Sequence, residues 1–342
     1  MKKYILLSAI ISAVFTSCHN DDWEFPDYEY ATVYFAYQYP VRTITMGEDI
    51  YDTSLDNEHK CKIMATTGGT YTNKTDISID ITVDNALCTG LLFGENGDEI
   101  KVMPSGYYSL ASDKIVIPSG DLIGGIEVQL TDAFFADPLS VKNTYVIPLR
   151  VTNVQNADSV LRGKPLVDNP NRCITSDWDV VPKDYVLYAV KYINTWHATY
   201  LRRGKDIVKG KNGNTSLDKT VVRHAQYVER DELCSLVTRS MSENILSLTV
   251  KDNENRDIPY DLILRFDNSG KCTISSESEN YTISGSGQFV EKGDKGSWGN
   301  EDRNVLYLSY EADFANMHYT VTDTLAVRDR GVGMETFIPV LK

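Results

Sequence analysis

The chain has 342 residues and a formal net charge of −14 at pH 7, with 42% hydrophobic and 24% charged residues. This length is comfortable for two domains, and the composition is that of a globular rather than a disordered chain. The acidic balance argues against a nucleic-acid partner, which needs a basic footprint, and against binding to anionic surfaces.

Residues 1–17 have the pattern of a secretory signal peptide. Lys2 and Lys3 precede a run of apolar or small residues that is too short to span a bilayer. Small residues then lead into Cys18, as in a bacterial lipoprotein processing site, where the cysteine becomes the acylated N-terminus. The segment departs from the usual pattern at Phe15, where leucine is preferred. Ordinary secretion with Cys18 as a free thiol is the alternative.

The residues that follow Cys18 bear on its destination. Asp21, Asp22 and Glu24 resemble the export signal that sends Bacteroidetes lipoproteins to the outer leaflet of the outer membrane. The same acids also suit a solvated tether over residues 18–30. Because several acyl chains hold a protein stably at a membrane, we expect an outer-membrane lipid anchor with the protein facing the cell exterior.

Short β-branched or aromatic runs, separated by turn residues, predict a β domain over residues 31–160. The runs are 31–40, 61–69, 76–84, 113–120, 125–132 and 144–153. In the third run, Ile77, Ile79, Ile81 and Val83 would line one face of a strand. Six such runs indicate an antiparallel sandwich.

Five further cysteines occur in the chain: Cys61, Cys88, Cys173, Cys234 and Cys272. An odd number leaves at least one unpaired, and the spacing matches no zinc pattern. Most are flanked by alternating apolar residues, so we expect buried free thiols. Disulfides between Cys61 and Cys88 or between Cys234 and Cys272 are the alternative.

Residues 161–182 are predicted to be a linker or a packed connection, because this part of the chain is rich in Pro, Asn and Asp and shows little periodicity. A second β region, 183–342, follows. Its runs are 184–204, 220–228, 233–238, 245–252, 260–267, 271–278, 281–291, 305–313, 319–329 and 335–341. Near-sequential hairpins predict an up-and-down meander closed into a lipocalin-like antiparallel barrel, with a jelly-roll sandwich as the alternative.

The chain resembles Bacteroidetes surface lipoproteins that carry an N-terminal domain of unknown function and a frequent C-terminal companion. The motifs are GGTYTNKTDISIDITVDNAL (68–87), MPSGYYSL (103–110), IVIPSG (115–120), TYVIPL (144–149), YINTWHATYLRRGKD (192–206) and ISGSGQF (283–289). This resemblance implies an all-β protein with an immunoglobulin-like sandwich before a second β domain. It also implies a place in gene clusters for polysaccharide or glycoprotein-glycan uptake. No catalytic residues carry over, because the family pattern defines none.

No catalytic residue, metal site or cofactor is predicted from motifs. The five histidines lie far apart, without HxH or HExxH spacing. GKDIVKGKNGN (204–214) lacks the hydroxyl residue and the strand-to-helix context of a phosphate loop. Gly285 and Gly287 in the ISGSGQF motif indicate a bulged or kinked strand rather than a nucleophile elbow.

Aromatic residues next to arginine are the candidate ligand contacts. Trp196, Tyr200 and Trp298 lie in polar surroundings, with Arg202 and Arg203 close by in sequence. Sugars present apolar C–H faces and a rim of hydroxyls, which suits flat aromatic rings beside polar side chains. The same residue types also fill barrel and sandwich cores.

Two triplets resemble the Bacteroidetes O-glycosylation acceptor, with Ser159 and Thr324 as the hydroxyl residues that follow an aspartate. Thr324 also has an obvious structural role as a strand residue.

Together these patterns favour a non-catalytic, lipid-anchored surface protein that binds glycan for an uptake system, with outer-membrane uptake proteins as partners. A glycoside hydrolase is the first alternative, because 48 acidic residues make a carboxylate pair at a catalytic separation almost inevitable. A structural or adhesion protein with a protein partner is the second.

Overall fold

The computed structural model describes residues 30–252 and 254–342, so the predicted signal peptide and the predicted anchor and export residues (Cys18, Asp21, Asp22 and Glu24) lie outside the described residues. The described residues form an all-β protein with two short helices, α1 (Ser54–Asn57) and α2 (Asp132–Ala136). The predicted fold class is therefore confirmed. Neither helix is long and apolar enough to cross a membrane.

The N-terminal part is a β-sandwich with two main sheets. Its strands are β1 (Thr32–Tyr34), β2 (Pro40–Thr45), β3 (Lys60–Gly68), β4 (Ile77–Val83), β5 (Leu91–Leu92), β6 (Lys101–Val102), β7 (Tyr108–Leu110), β8 (Lys114–Ile117), β9 (Ile123–Leu130), β10 (Tyr145–Gln155), β11 (Ser159–Val160), β12 (Lys164–Pro165), β13 (Trp178–Val180) and β14 (Tyr185–Ile193). One sheet has the order β11-β1-β3-β9-β7, and the other has the order β2-β14-β10-β4-β8.

The two sheets share one apolar core. Ile77, Ile79 and Ile81 of β4 point into it, as their period-two spacing predicts. They pack in the same cluster as Ile63 of β3, in the facing sheet. Val83 departs from the predicted pattern, since it is 39% exposed at the end of the strand.

The sandwich ends with strand β14, at residue 193. The sequence predicts that the barrel begins at residue 183, so the sandwich extends further along the chain than predicted. It pairs antiparallel with β10 and parallel with β2 in the middle of the second sheet. Its side chains are buried on both faces, which is typical of a central, doubly covered strand. Residues 161–182 also pack against the sandwich, with Cys173 and Trp178 buried, and therefore do not form a free linker.

The C-terminal part is an antiparallel barrel. Its strands are β15 (Ala198–Gly210), β16 (Lys219–Arg223), β17 (Glu232–Thr238), β18 (Glu243–Lys251), β19 (Asp257–Phe266), β20 (Lys271–Ser275), β21 (Thr282–Asp294), β22 (Arg303–Asp313) and β23 (Met317–Asp329). Consecutive strands pair from β17 to β23, and β15 closes the ring by pairing with both β17 and β23. This is the predicted meander and not the jelly-roll alternative.

One wall of the barrel is interrupted. Both β16 and β17 pair antiparallel with β15, so they form a single broken strand with the insertion 224–231 between them. Elsewhere the interior is filled by apolar side chains such as Leu236, Leu262 and Leu306.

The C-terminal tail leaves the barrel and returns to the sandwich. Strand β24 (Glu335–Thr336) pairs with β2, and β25 (Val340–Leu341) pairs with β5. The run 335–341 therefore belongs to the first domain, and not to the barrel as the sequence boundaries implied. The first pairing joins residues almost 300 positions apart and the second residues almost 250 apart, which no local pattern can show.

All five described cysteines are buried and unpaired, as expected, and neither of the two alternative disulfides forms. Burial raises the pKa of each thiol to about 12. The thiols act as small apolar core residues and are poor nucleophiles at neutral pH.

Arg330 fastens the two domains together where the chain leaves the barrel. Its guanidinium donates hydrogen bonds to the carbonyl oxygens of His197 (2.7 Å), Asn194 (2.8 Å) and Met46 (3.1 Å). It also lies 3.6 Å from the Asp49 carboxylate. Residues 46 and 49 belong to the sandwich, so one buried cation links the sandwich to the barrel.

His197 at this junction should make the protein less stable as the pH falls. Its Nδ1 accepts a hydrogen bond from the Thr238 backbone N–H (3.0 Å), which requires an unprotonated nitrogen. Burial, together with the nearby positive charges of Arg330 and Lys191, lowers the pKa of His197 from 6.5 to about 4. Between these values the unfolded chain binds a proton that the folded protein does not. The free energy of unfolding should therefore fall by up to about 3 kcal/mol from pH 7 to pH 4.

Urea unfolding at several pH values checks this expectation. A His197→Gln variant, which cannot titrate, should lose less stability over the same range than the unchanged protein. The exposed His224→Gln is the matched control and should keep the full pH dependence. Equal pH slopes for His197→Gln and the unchanged protein would show that His197 is not responsible.

Candidate functional site

The structure distributes the five predicted ligand residues over different surroundings. Trp196 lies in the turn before β15, with its ring stacked on Phe266 (ring centroids 4.1 Å apart, 7° between planes). Tyr200 is fully buried in the barrel, and its hydroxyl donates to the Trp196 carbonyl oxygen (2.7 Å). This hydrogen bond joins Tyr200 to the Trp196 backbone, but Tyr200 has no surface to offer a ligand.

The two predicted arginines face opposite sides of the barrel wall. Arg203 pairs on the outside with Asp231 (2.6 Å). Arg202 points inward, where Nε donates to Asp323 (2.9 Å) and a terminal nitrogen lies 3.2 Å from Glu232. Because side chains alternate along a strand, two consecutive residues are predicted to lie on opposite faces of the barrel wall, as they do here. The sequence pattern does not show which of the two faces is the interior.

Arg202 belongs to a buried ionic network beneath the interrupted wall. The second arginine is Arg223, which binds Asp206 through two hydrogen bonds (2.7 and 2.8 Å) and donates to Asp323 (2.6 Å). Asp323 thus bridges two guanidinium groups. Gly204 makes room for this carboxylate, because a Cβ at that position would lie 2.3 Å from the Asp323 Oδ1.

The two candidate glycosylation residues lie in strands. Ser159 is half-buried in β11, with its Oγ 3.4 Å from the Thr32 hydroxyl. Thr324 faces outward from β23, between the buried Asp323 and Leu325. Glycosylation of either hydroxyl stays a prediction.

Trp298 is the predicted residue that lines a cleft between the domains. The cleft has a volume of about 700 Å³ and lies between the sandwich loop 48–51 and the barrel ends of β21, β22 and β23. Ligand sites favour such domain interfaces, and this volume is in their usual range. The Trp298 indole N–H donates to the Val327 carbonyl oxygen (3.1 Å), and the Arg303 guanidinium stacks over its ring at 3.7 Å.

Tyr51, on the opposite side of the cleft, leaves an aromatic ring open to solvent. It is 67% exposed, next to Ile50, which is 85% exposed. The structure thus places an open phenol ring opposite a fixed indole–guanidinium stack.

Polar groups surround these aromatics. Asp302 pairs with Lys295 (2.8 Å), and this contact lowers the pKa of the Asp302 carboxyl. The Asn304 side-chain oxygen accepts from the Lys292 backbone N–H (2.8 Å). Lys292 itself adopts a left-handed conformation (φ 49°) at a bulge in β21, which is uncommon for a lysine and occurs often at functional sites.

The cleft is better suited to binding than to acid–base catalysis. A glycosidase needs one carboxylic acid with a raised pKa, whereas Lys295 keeps Asp302 ionised. Glu301 is paired with Arg303 (2.8 Å), and Asp49 faces Arg330. Across the described ranges, no group of His, Cys, Asp or Glu is arranged to hold a metal ion.

Sequence reasoning missed Tyr51, Lys292 and Arg303. Tyr51 lies in a segment without strand periodicity, and only its apolar character among acidic neighbours marks it. The positive φ of Lys292 has no sequence signature, because glycine and asparagine are the usual residues there. Arg303 follows a Gly- and Asn-containing turn, which is a weak sign of a surface loop.

The fold and the candidate site together define a class of protein. In this class a β-sandwich packs against a β-barrel, and a cleft lined by polar and aromatic residues lies between them. Residues 195–331 match the model of a domain of unknown function, DUF5627, and residues 27–158 match the model of an N-terminal domain. The crystal structure of a Bacteroides ovatus protein of unknown function is 47% identical, with a TM-score of 0.87 over 92% of this chain and 99% of that chain. The chain belongs to the same family as that protein.

Two other Bacteroides ovatus structures are much less similar. A multidomain protein that includes DUF1735 is 10% identical, with a TM-score of 0.40 over 89% of this chain and 97% of that chain. A candidate carbohydrate-binding protein is 12% identical, with a TM-score of 0.27 over 90% of this chain and 98% of that chain. Scores this low carry no functional argument. No curated protein matches the chain.

Proposed function

We propose that the protein is a non-catalytic, lipid-anchored surface protein that binds glycan in the cleft between its domains, for an uptake system. The observation that carries the proposal is the pairing of open Tyr51 with the Trp298–Arg303 stack across a cleft of about 700 Å³. Aromatic rings suit the C–H faces of sugars, and the surrounding charged and amide groups suit their hydroxyls.

The binding site combines a rigid and an adjustable side. Trp298 is held by its hydrogen bond to Val327 and by Arg303, so little side-chain freedom is lost when a ligand stacks there. Tyr51 comes from a sandwich loop and supplies the second apolar surface. Arg328 and Asn304 line the same cleft, where the Arg328 guanidinium and the Asn304 side-chain amide N–H can donate hydrogen bonds to sugar hydroxyls.

The proposed location follows from the N-terminal segment. An acylated Cys18, followed by Asp21, Asp22 and Glu24, would hold the sandwich near the outer membrane through a short tether, with outer-membrane uptake proteins as partners. The family relationship to a Bacteroides protein supports this setting. Cell fractionation tests it: the protein should stay with the membrane, and Cys18→Ala should release it.

Binding can be tested by calorimetry of residues 24–342 against plant, microbial and host polysaccharides and their oligosaccharides. We expect one class to bind and Tyr51→Ala or Trp298→Ala to weaken binding about tenfold or more, which corresponds to about 1.4 kcal/mol or more for a lost stacking contact. Tyr51→Phe should bind nearly normally, because the ring remains.

Tyr227→Ala is the matched control, since Tyr227 is also an exposed tyrosine but lies on the barrel insertion 224–231, away from the cleft. Absence of binding to every glycan would refute the proposal. Release of sugar that is abolished by Asp302→Asn would instead establish the hydrolase alternative.

A further inference from the structure

We propose that the outer wall of the barrel carries a second site, a groove for a linear acidic polysaccharide. The groove lies across strands β19 to β23, has a volume of about 870 Å³ and shares no lining residue with the cleft. We call it the wall groove. The proposal adds a second surface and a charge class to the proposed glycan-binding function, which it takes as its starting point.

The wall groove is centred on the glycine-rich motif in β21. Gly287 faces the interior, where a Cβ would lie 2.6 Å from the Tyr307 carbonyl oxygen and 2.8 Å from the Cys272 sulfur. Only glycine therefore fits where β21 approaches β20 and β22 so closely. The bulge or kink predicted from ISGSGQF is not found there, because β21 keeps a regular register with β20 and β22 through the motif and shifts register only between Val290 and Asp294.

Two rows of outward side chains cross the wall groove, each in direct cross-strand register. The first row is Arg265–Thr273–Ser286–Ser309–Thr322–Lys205. The second row is Lys271–Gln288–Tyr307–Thr324–Arg203. Each row has a cation at both ends and neutral hydrogen-bonding groups between them. Arg265 and Lys271 line the groove together with Asp267, whereas Lys205 and Arg203 lie at the ends of the rows, beyond its lining residues.

The four hydroxyls of the first row match the geometry of an extended glycan. Neighbouring strands are about 4.8 Å apart, so the row spans about 14 Å. That spacing is close to the length of one pyranose unit in an extended chain. A polysaccharide lying across the strands would therefore meet one hydroxyl per sugar, and Tyr307, which is 41% exposed in the second row, offers a ring for stacking.

The charges at the ends of the rows select an anionic chain. Arg265 is paired with Glu243 (2.7 Å), and Arg203 with Asp231. Lys205, by contrast, is exposed and forms no ion pair with any residue in the described ranges. Exposed lysine beside neutral hydroxyls attracts carboxylate or sulfate groups, and the attraction weakens with salt. A neutral polysaccharide could accept hydrogen bonds from these cations but would gain no charge–charge attraction.

The test uses polygalacturonate, its fully methyl-esterified form and dextran sulfate as probes in calorimetry with residues 24–342. We expect polygalacturonate to bind and the uncharged ester to bind at least tenfold more weakly. Dextran sulfate carries sulfate groups in place of carboxylates. If it binds as well as polygalacturonate, the site accepts polyanionic glycans in general. If it does not bind, the site is restricted to uronic acids. Affinity should fall as salt is raised.

The Lys205→Gln/Lys271→Gln variant should bind polygalacturonate at least tenfold more weakly, and Tyr307→Ala should also weaken binding. Lys74→Gln/Lys101→Gln removes the same charge from the exposed surface of the sandwich and should have no effect. Equal losses in both double variants, equal binding of acid and ester, or no binding of either acidic probe would overturn the proposal. Tyr51→Ala should leave this binding intact, so failure of the wall groove and failure of the cleft can be told apart.

Discussion

Replacing Asp323 with alanine should lower the free energy of unfolding by about 3–5 kcal/mol, because it leaves the buried Arg202 and the partly buried Arg223 without their shared counter-ion. The Asp323 side chain is completely buried and accepts hydrogen bonds from Arg202 and Arg223. Without it, Arg202 retains only the partly exposed Glu232 and the Tyr310 hydroxyl at 3.3 Å. Urea denaturation measures the loss as a lower midpoint.

Two comparisons separate this effect from a general loss of surface charge. Lys164→Ala removes an exposed ion pair with Asp179 and should cost less than about 1 kcal/mol. In a double-mutant cycle, Arg202→Met combined with Asp323→Ala should lower the free energy of unfolding by less than the sum of the two single changes. The reason is that the double variant no longer contains the buried Arg202 charge. A loss below 1 kcal/mol for Asp323→Ala would mean that water reaches the network and compensates the charges.

The sequence predicts the local structure well because that structure rests on local patterns. The inward set Ile77, Ile79 and Ile81 and the barrel hairpins follow from alternation and turn residues. The ionic network was not predictable as a network. Its members, from Arg202 to Asp323, come from four strands, and period-two spacing cannot say that a charged face is the interior.

The domain boundary and the cleft depend on contacts between distant parts of the chain. Strand β14 pairs in parallel with β2, and the C-terminal tail returns to the sandwich after the barrel. The order of hairpins along the sequence therefore does not show which strands belong to which domain. The cleft likewise joins Tyr51 to Trp298, almost 250 residues apart. Trp298 could be picked out because tryptophan is rare and lies in a polar segment. Tyr51 could not be picked out in this way, because the chain has 21 tyrosines and most residues next to Tyr51 are polar loop residues.

Arg330→Ala should both destabilise the protein and uncouple its two domains. The guanidinium donates to three backbone carbonyls at the junction, and hydrogen bonds from a charged group contribute about 1.5–3 kcal/mol each. Water from the adjacent cleft can replace some of these hydrogen bonds, so we expect the free energy of unfolding to fall by about 3 kcal/mol in total. Asp49 would also lose its cation.

Differential scanning calorimetry should show the uncoupling directly. The unchanged protein is expected to unfold in one transition, and Arg330→Ala in two, because the sandwich and barrel have separate cores. Arg330→Lys keeps the charge but lacks the planar fork that reaches several carbonyls, so its loss should be intermediate. Arg328→Ala removes a half-exposed arginine two residues away and should leave a single transition. A single, unshifted transition for Arg330→Ala would mean that the tail pairings of β24 and β25 hold the domains together without it.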